Sequence, residues 1–423
     1  MDLGRATRFA SYVEALTGVI GHADRARPLR DYCTGLLLPG ERKSVEPLAA
    51  RTAPARVSAQ HQALLHFVNV GPWSDEKVLA KVRERVLPAI EKHGPIEAWI
   101  IDDTAFPKKG RHSVGVQPQY CGELGKEANC QVVVTLSIAN HFASLPVAYR
   151  LYLPKEWAED RGRRERAGVP ADIRFKTKPQ IALEHLRWAC AAGLAPGVVL
   201  MDLDYGRDSR LRTEITALGL TYLAGIQPKT LVWPPGAGPR RRGKPLNNTG
   251  RRDEPDLVSA EELALGLPKR AWRMIGWREG SAGSLASRFA RVRVRVGHHQ
   301  AIPEAAAQEW LLVEWPEGER KPTKYWLSTL PADIGFRRLV DIAKLRWRIE
   351  RDYHDLKQEV GLGHYEGRGW RGFHHHATLC IAAYGFLISE QATIPPSEPR
   401  STALRQTPAL SEDYRPRGSA IAA

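Results

Sequence analysis

Cysteine, long apolar runs and phosphate-cradling glycine loops are all scarce or missing in this chain of 423 residues. Its five cysteines, Cys33, Cys121, Cys130, Cys190 and Cys380, are scattered without a C-x-x-C pair. That spacing excludes a zinc ribbon and a disulfide framework and fits a reducing cytosol. No stretch approaches the roughly 20 apolar residues of a membrane span, and the opening MDLGRATRFASYVEAL lacks the uncharged apolar core of a signal peptide. The expectation is a soluble cytoplasmic protein. No G-x-x-x-x-G-K-[ST] loop occurs, so no nucleotide cofactor is expected. Acidic residues are outnumbered by Lys and Arg, 47 against 62, giving a net charge of +15. Such a surplus attracts a polyanion such as a phosphate backbone. The length exceeds what one compact core usually holds, so accessory regions are expected around a main domain.

Residues 1–95 read as a helical N-terminal region: RFASYVEAL, SAQHQALLHFV, and SDEKVLAKVRERVLPAIEKHG with Ser74 as its N-cap. Its charges nearly balance, which leaves DNA binding and a packing or dimerisation role equally open. From residue 96 to 227 the pattern changes to short β-type runs, AWIID, NCQVVVTLSIAN and LPVAYRLYLP. A helix (KPQIALEHLRWACAAG), a strand ending in acid (GVVLMDLDYG), a second helix and the strand TYLAGIQ follow. Three meandering strands, a helix, then a strand with Asp at its C-terminal end predict an α/β core of ribonuclease-H-like order. Residues 228–322 interrupt it with Pro/Gly-rich basic loops and the β-type segments SRFARVRVRVG and EWLLVEWPEG, a mostly β insertion. A period of two places Arg291, Arg293 and Arg295 on one face, either contacting DNA phosphates or solvating an edge strand. Residues 323–390 complete the core with the strand KYWLSTLP, a long helix over about 336–360 and a second apolar helix, while 391–423 read as a disordered tail.

Cutting a phosphodiester with two Mg²⁺ ions requires carboxylates from separate segments to converge, so acids at strand ends and on one helix face are sought. WIIDDTAFPKKG supplies Asp102 and Asp103 at a strand end; alternation makes them face opposite ways and does not choose between them. The basic turn that follows carries Lys108 and Lys109. VVLMDLDYGRD supplies Asp202 where the chain turns away, with Asp208 reading as the N-cap of the next helix. At about 100° per residue Arg346, Glu350 and Lys357 fall within about 60° on one stripe of a helix, beside an apolar stripe of Ile342, Leu345, Ile349 and Leu356. A solvated salt-bridge ladder would give the same pattern.

The segment RWRIERDYHDLKQEVGLGHYEGRGWRG resembles the C-terminal signature of bacterial insertion-sequence DDE transposases of the Y-R-E-K group, and its R-x(3)-E-x(6)-K spacing puts Arg346, Glu350 and Lys357 in register. IDDTAFPKKGRHSVGVQPQYCGELGKEANCQ and VLMDLDYG are similar to the regions around the group's two catalytic Asp residues. The resemblance spans about residues 10–390. It implies Asp103, Asp202 and Glu350 as catalytic metal ligands for two Mg²⁺, with Mn²⁺ as a substitute. It also implies transposon-end and target double-stranded DNA as partners, a homodimer on DNA, cut-and-paste transposition through a hairpin, and nucleoid association in a bacterial cytoplasm. Arg346 and Lys357 would grip terminal phosphates, and Trp310, Trp315 or Trp326 of the β insertion would stack on a flipped base. Two positions depart: Ala343 stands where the signature has Tyr, and Pro118 where a basic residue is expected.

A domesticated nuclease or DNA-binding regulator of the same ancestry is the alternative reading. A carboxylate-pair glycosidase is disfavoured by the basic balance. His374, His375 and His376 are adjacent on a helix and so point apart, against a metal site. The run Arg240, Arg241, Arg242, Lys244, Arg251 and Arg252 is a candidate for phosphate contact.

Overall fold

The computed structural model describes residues 3–235, 257–280, 283–297 and 307–393. Five helices come first: α1 (Leu3–Thr17), α2 (Ala26–Leu37), α3 (Val45–Thr52), α4 (Val57–Asn69) and α5 (Asp75–Glu91). Ser74 caps α5 by accepting from the Lys77 amide, as the sequence predicts, and α2 and α3 are additional to the predicted helices.

A mixed core follows: β1 (Ala98–Pro107), β2 (Gln117–Cys121), β3 (Lys126–Ala139), β4 (Ser144–Leu151), α6 (Lys155–Glu159), α7 (Arg161–Ala167), α8 (Lys178–Ala191), β5 (Val198–Met201), α9 (Leu203–Gly206), α10 (Ser209–Ala217) and β6 (Tyr222–Gly225). The hairpin strand β2 was not predicted; its residues alternate in burial only weakly. Next come β7 (Leu231–Trp233), β8 (Val258–Ser259), α11 (Ala260–Leu265), β9 (Arg273–Gly280), β10 (Gly283–Val296), β11 (Glu309–Trp315) and β12 (Lys324–Ser328). The chain then forms α12 (Phe336–Leu345), α13 (Trp347–His354), a π turn over Asp355–Glu359 and α14 (Trp370–Gln391).

Among the described residues the strands join one open sheet in the order β2-β3-β1-β5-β6-β12-β11-β10-β7-β8, with β4 also on β3 and β9 also on β10. β1 runs parallel to β5, which runs parallel to β6. Ile101 lies opposite Met201, so Asp102 and Asp202 are the next residues along neighbouring strands. The Arg-Val alternation of β10 was read as an edge strand. It lies inside the sheet instead, between β11 and the β9 and β7 strands.

Two layers of apolar side chains cover the sheet. Ala98, Ile100, Leu200 and Leu223 face α12 and α13 through Leu339, Ile342, Leu345 and Ile349. Trp99, Ile101, Val199 and Met201 face the other way, into the core shared with α8 and the N-terminal helices. The N-terminal helices close around α14: Tyr12 donates to the Ala382 carbonyl at 2.8 Å, and Trp73 stacks on His375 at 3.6 Å. The predicted single helix over 336–360 is interrupted. Arg346 leaves the hydrogen-bond ladder although its dihedrals stay right-handed, and the last turn relaxes to π geometry, a local widening of the helix. No helix of the described residues is long and apolar enough to cross a membrane.

Candidate active site

The middle of β1, the turn after β5 and the start of α13 meet at one guanidinium; β1 runs on to Pro107, so Asp102 and Asp103 lie within the strand and not at its end as the sequence predicts. Arg346 Nη2 lies 2.7 Å from Asp102 Oδ2 and 3.7 Å from Asp202 Oδ2, and Nη1 lies 3.5 Å from Glu350 Oε1. Asp102 shares the face of Ile100 and therefore looks towards α13, whereas Asp103 looks to the α8 side. There Asp103 accepts from the Tyr205 hydroxyl at 3.1 Å and pairs with Lys178 at 3.1 Å. The structure thus brings Asp102, Asp202 and Glu350 to Arg346 and holds Asp103 against Tyr205 and Lys178 on the opposite side of the strand.

Local sequence explains each placement. Asp202 caps α9, its Oδ1 accepting from the Asp204 and Tyr205 amides, so one oxygen fixes the turn and the other remains at the site. Gly206 and Gly225 let α9 lie directly on β6, since a Cβ on Gly206 would sit 2.0 Å from the Gly225 carbonyl oxygen. Asp208 caps α10 by accepting from the Leu211 amide at 2.9 Å. Glu350 is exposed, at 72 % of its side chain, while Asp102 is buried. Burial raises the Asp102 carboxyl to about 7 against the lowering pull of Arg346, and burial also raises Asp202. Tyr353 donates to or accepts from Thr135 at 2.6 Å beside Asp102, and burial raises its phenol well above the ordinary value.

Carboxylate oxygens are the ligands Mg²⁺ prefers, and Mg²⁺ is commonly held by one or two carboxylates plus substrate phosphates. The donor chemistry therefore fits that ion. Among the described residues no group of three or more His, Cys, Asp or Glu side chains forms a ready-made cage. Arg346 pairs with all three of Asp102, Asp202 and Glu350.

Several predicted DNA-contacting cations have protein partners. Lys357 Nζ donates to the Ala105 carbonyl at 2.7 Å and to Glu123 at 2.9 Å, crossing β1 instead of standing beside Glu350. Lys108 Nζ donates to the Tyr365 carbonyl, and burial lowers its pKa to about 8. Arg291 stacks over Trp310 and Phe336 and donates to the Ile334 carbonyl; Arg293 also stacks over Trp310. Arg291, Arg293 and Arg295 are half-buried within the sheet, which corrects the expectation of a free arginine face. Lys109 is exposed. The basic run from Arg240 to Arg252 lies outside the described residues.

A cleft of about 450 Å³ opens beside Asp202, Arg346 and Glu350 and is lined by Trp277, Trp326 and Trp347. Of the three tryptophans singled out in the sequence only Trp326 reaches it. Trp310 donates to the Pro331 carbonyl, and Trp315 packs against Trp272 and donates to the Glu319 carbonyl. Trp347 is adjacent to Arg346 and Tyr205 belongs to the D-x-x-Y-G stretch, so both had a local signal. Lys178 and Trp277 had none. β9 and β11 are fastened at this place by Lys344, which donates to both Glu314 oxygens at 2.6 Å and lies 4.0 Å over Trp277.

His375 and His376 are buried and His374 is half-buried, and they bond to the Val68, Gly361 and Trp370 carbonyls respectively. Burial lowers each to about 4, which makes them neutral packing groups pointing three ways. Asp352, two residues beyond Glu350, faces the interior, where Ser144 and Tyr384 donate to it. Burial raises it to about 7, opposed by those hydrogen bonds and by Arg348. A carboxyl raised in the fold takes up a proton on folding, so its contribution to stability falls as pH rises from about 4 through about 7. Asp352→Asn is accordingly expected to be more stable than the parent at pH 8 by roughly 1–3 kcal/mol, with the difference closing near pH 4. Urea midpoints at the two pH values measure this, and a variant weaker at pH 8 would contradict it.

Three acids from separate segments are thus gathered by one arginine on an open, mixed α/β sheet. The sequence profile of the DDE superfamily endonuclease family matches residues 15–284, and the chain belongs to that family. A probable transposase for insertion sequence element IS701 from Microchaete diplosiphon is 32% identical over 167 residues. That match covers 39% of this chain and 40% of the relative, so the chain spans well under two thirds of the relative's length. Glu350 lies beyond the part matched by the family profile.

Proposed function

We propose that this chain is a DDE transposase of the Y-R-E-K insertion-sequence group that cleaves DNA at transposon ends and joins the freed ends to target DNA. The observation that carries this reading is the convergence of Asp102, Asp202 and Glu350 on Arg346 from segments up to 248 residues apart in the chain. Parallel β1 and β5, with Asp102 midway along β1 level with Asp202 just after β5, and α13 laid across them, are consistent with a ribonuclease-H-like core from 96 to 227 and 323 to 390. On this reading 1–95 is a helical region, 228–322 the insertion and 391–423 a tail.

The resemblance to the Y-R-E-K group implies Asp103, Asp202 and Glu350 as the metal-holding set. The pairing of Asp102 with Arg346 at 2.7 Å supports the alternative of Asp102, Asp202 and Glu350, because Asp103 lies against Tyr205 and Lys178 on the other side of β1. Two Mg²⁺ at these oxygens would supply the activation of water or a 3′-hydroxyl and the stabilisation of the departing oxygen. Arg346 would offer its guanidinium fork to the phosphate beside the cut, exchanging its present carboxylate partners for phosphate oxygens. Trp277, Trp326 and Trp347 offer stacking faces for an unpaired base next to that phosphate, excluding water from one side of the site. Because each strand transfer exchanges one phosphodiester for another, no nucleotide hydrolysis is needed. A dimer on paired ends is part of the proposal.

The direct experiment incubates the protein with duplexes carrying the terminal repeats that flank its gene, with Mg²⁺, Mn²⁺ or EDTA. Strand cuts at the repeat boundary in either metal and none in EDTA are expected. Binding of these duplexes without any metal-dependent cut would favour a DNA-binding regulator and overturn the proposal.

A further inference from the structure

Exposed arginines on this protein commonly have a carboxylate: Arg30 has Glu14, Arg42 has Glu366, and Arg161 has Glu165. Arg111, Arg166 and Arg368 do not. All three are exposed, as is Lys109, and among the described residues none of the four side chains has a hydrogen-bond, ion-pair or ring partner. They come from three segments far apart in sequence that the fold draws together. The Val114 amide donates to the Arg368 carbonyl at 3.0 Å, which joins the loop after β1 to the residues before α14. Gly369 lies against the Ala167 carbonyl, which brings the end of α7 to the same place. The nearby acids Glu165 and Glu366 are already paired, and Asp160, which lies near Arg166 beside Gly162 and caps α7 through the Arg163 amide, offsets only part of the positive charge.

We propose that Lys109, Arg111, Arg166 and Arg368 form a platform that binds the phosphate backbone of duplex DNA running past the carboxylates. This rests on the DNA-cutting reading above. β1 leads from Asp103 to Pro107 in four steps, about 13 Å, and Lys109 and Arg111 follow in the loop beyond it, so the platform lies past the end of the strand that carries the acids. Cations without protein partners can meet phosphates without first breaking a bond. Lys357 and Arg346, by contrast, must give up Glu123 and the site acids. Phosphate contacts of this kind fix the duplex in position without reading its sequence.

The test measures binding of a fluorescent blunt duplex of arbitrary sequence between about 50 and 200 mM KCl. Each lost phosphate contact flattens the dependence of log affinity on log salt by about 0.9. Arg111→Ala/Arg166→Ala/Arg368→Ala is expected to flatten the slope by about two to three and to weaken binding at least about tenfold at the low-salt end. Arg27→Ala/Arg30→Ala/Lys321→Ala removes the same charge from paired side chains elsewhere and is expected to leave the slope unchanged. An unaltered slope in the first triple, or equal flattening in both, overturns the platform. If Asp202→Asn still abolishes metal-dependent cutting in that event, the function stands and only the platform falls. A parent protein that binds no duplex overturns both.

Discussion

Asp202→Asn and Glu350→Gln are each expected to lower single-turnover strand cleavage by at least about a thousandfold, or about 4 kcal/mol of barrier, without weakening duplex binding. Each change removes a negative oxygen and preserves shape. Asparagine at 202 keeps the oxygen that accepts from the Asp204 and Tyr205 amides, so the α9 cap survives. Glu350 is exposed, so its replacement leaves the fold intact. Asp102→Asn and Asp103→Asn, measured alongside, decide between the two metal-holding sets. The ligating residue should show the same thousandfold loss and its neighbour a loss within about tenfold, because the neighbour acts only through position and charge. Cleavage retained in both would remove β1 from the site. Retention in Asp202→Asn or Glu350→Gln would sink the mechanism.

Gly206→Ala is expected to destabilise the protein by about 3 kcal/mol and to abolish cutting with it. The new Cβ would meet the Gly225 carbonyl at 2.0 Å, and both partners are backbone, so no side chain can swing aside. Moving α9 off β6 also moves Asp202 and Tyr205, which hold the site from that side. Gly110→Ala, where a Cβ meets nothing within 4 Å, serves as the control and should unfold at the parent's denaturant midpoint. Equal midpoints for the two variants would show that the close approach is not needed.

Much of the site was legible because some signals are local. Asp202 after an apolar run reads as a strand end, and Arg346 and Glu350 four apart share a helix face whatever surrounds them. The same reading fails for Asp102 and Asp103, because β1 continues through DTAFP to Pro107 against β3. Lys357 falls elsewhere than an unbroken 3.6-residue helix would put it. The interruption at Arg346 and the π turn change the angle at which the last turn leaves, and Lys357 crosses to Ala105 and Glu123. The arginines of β10 alternate as predicted. Their face is filled because Trp310 and Phe336 arrive from other segments, which a strand's own period does not reveal.

The sequence by itself therefore determined the charge surplus, the helical beginning, Asp202 at its strand end and the spacing of Arg346 and Glu350 by one turn. Each follows from composition or from the repeat of a single element. Only the tertiary structure decided that β1 runs on past its acids to Pro107, that Asp102 turns to Arg346 and Asp103 to Tyr205 and Lys178, and that the segments carrying Arg111, Arg166 and Arg368 adjoin. Periodicity fixes faces relative to their own strand or helix. What stands opposite a face depends on sheet register and on contacts between residues hundreds of positions apart.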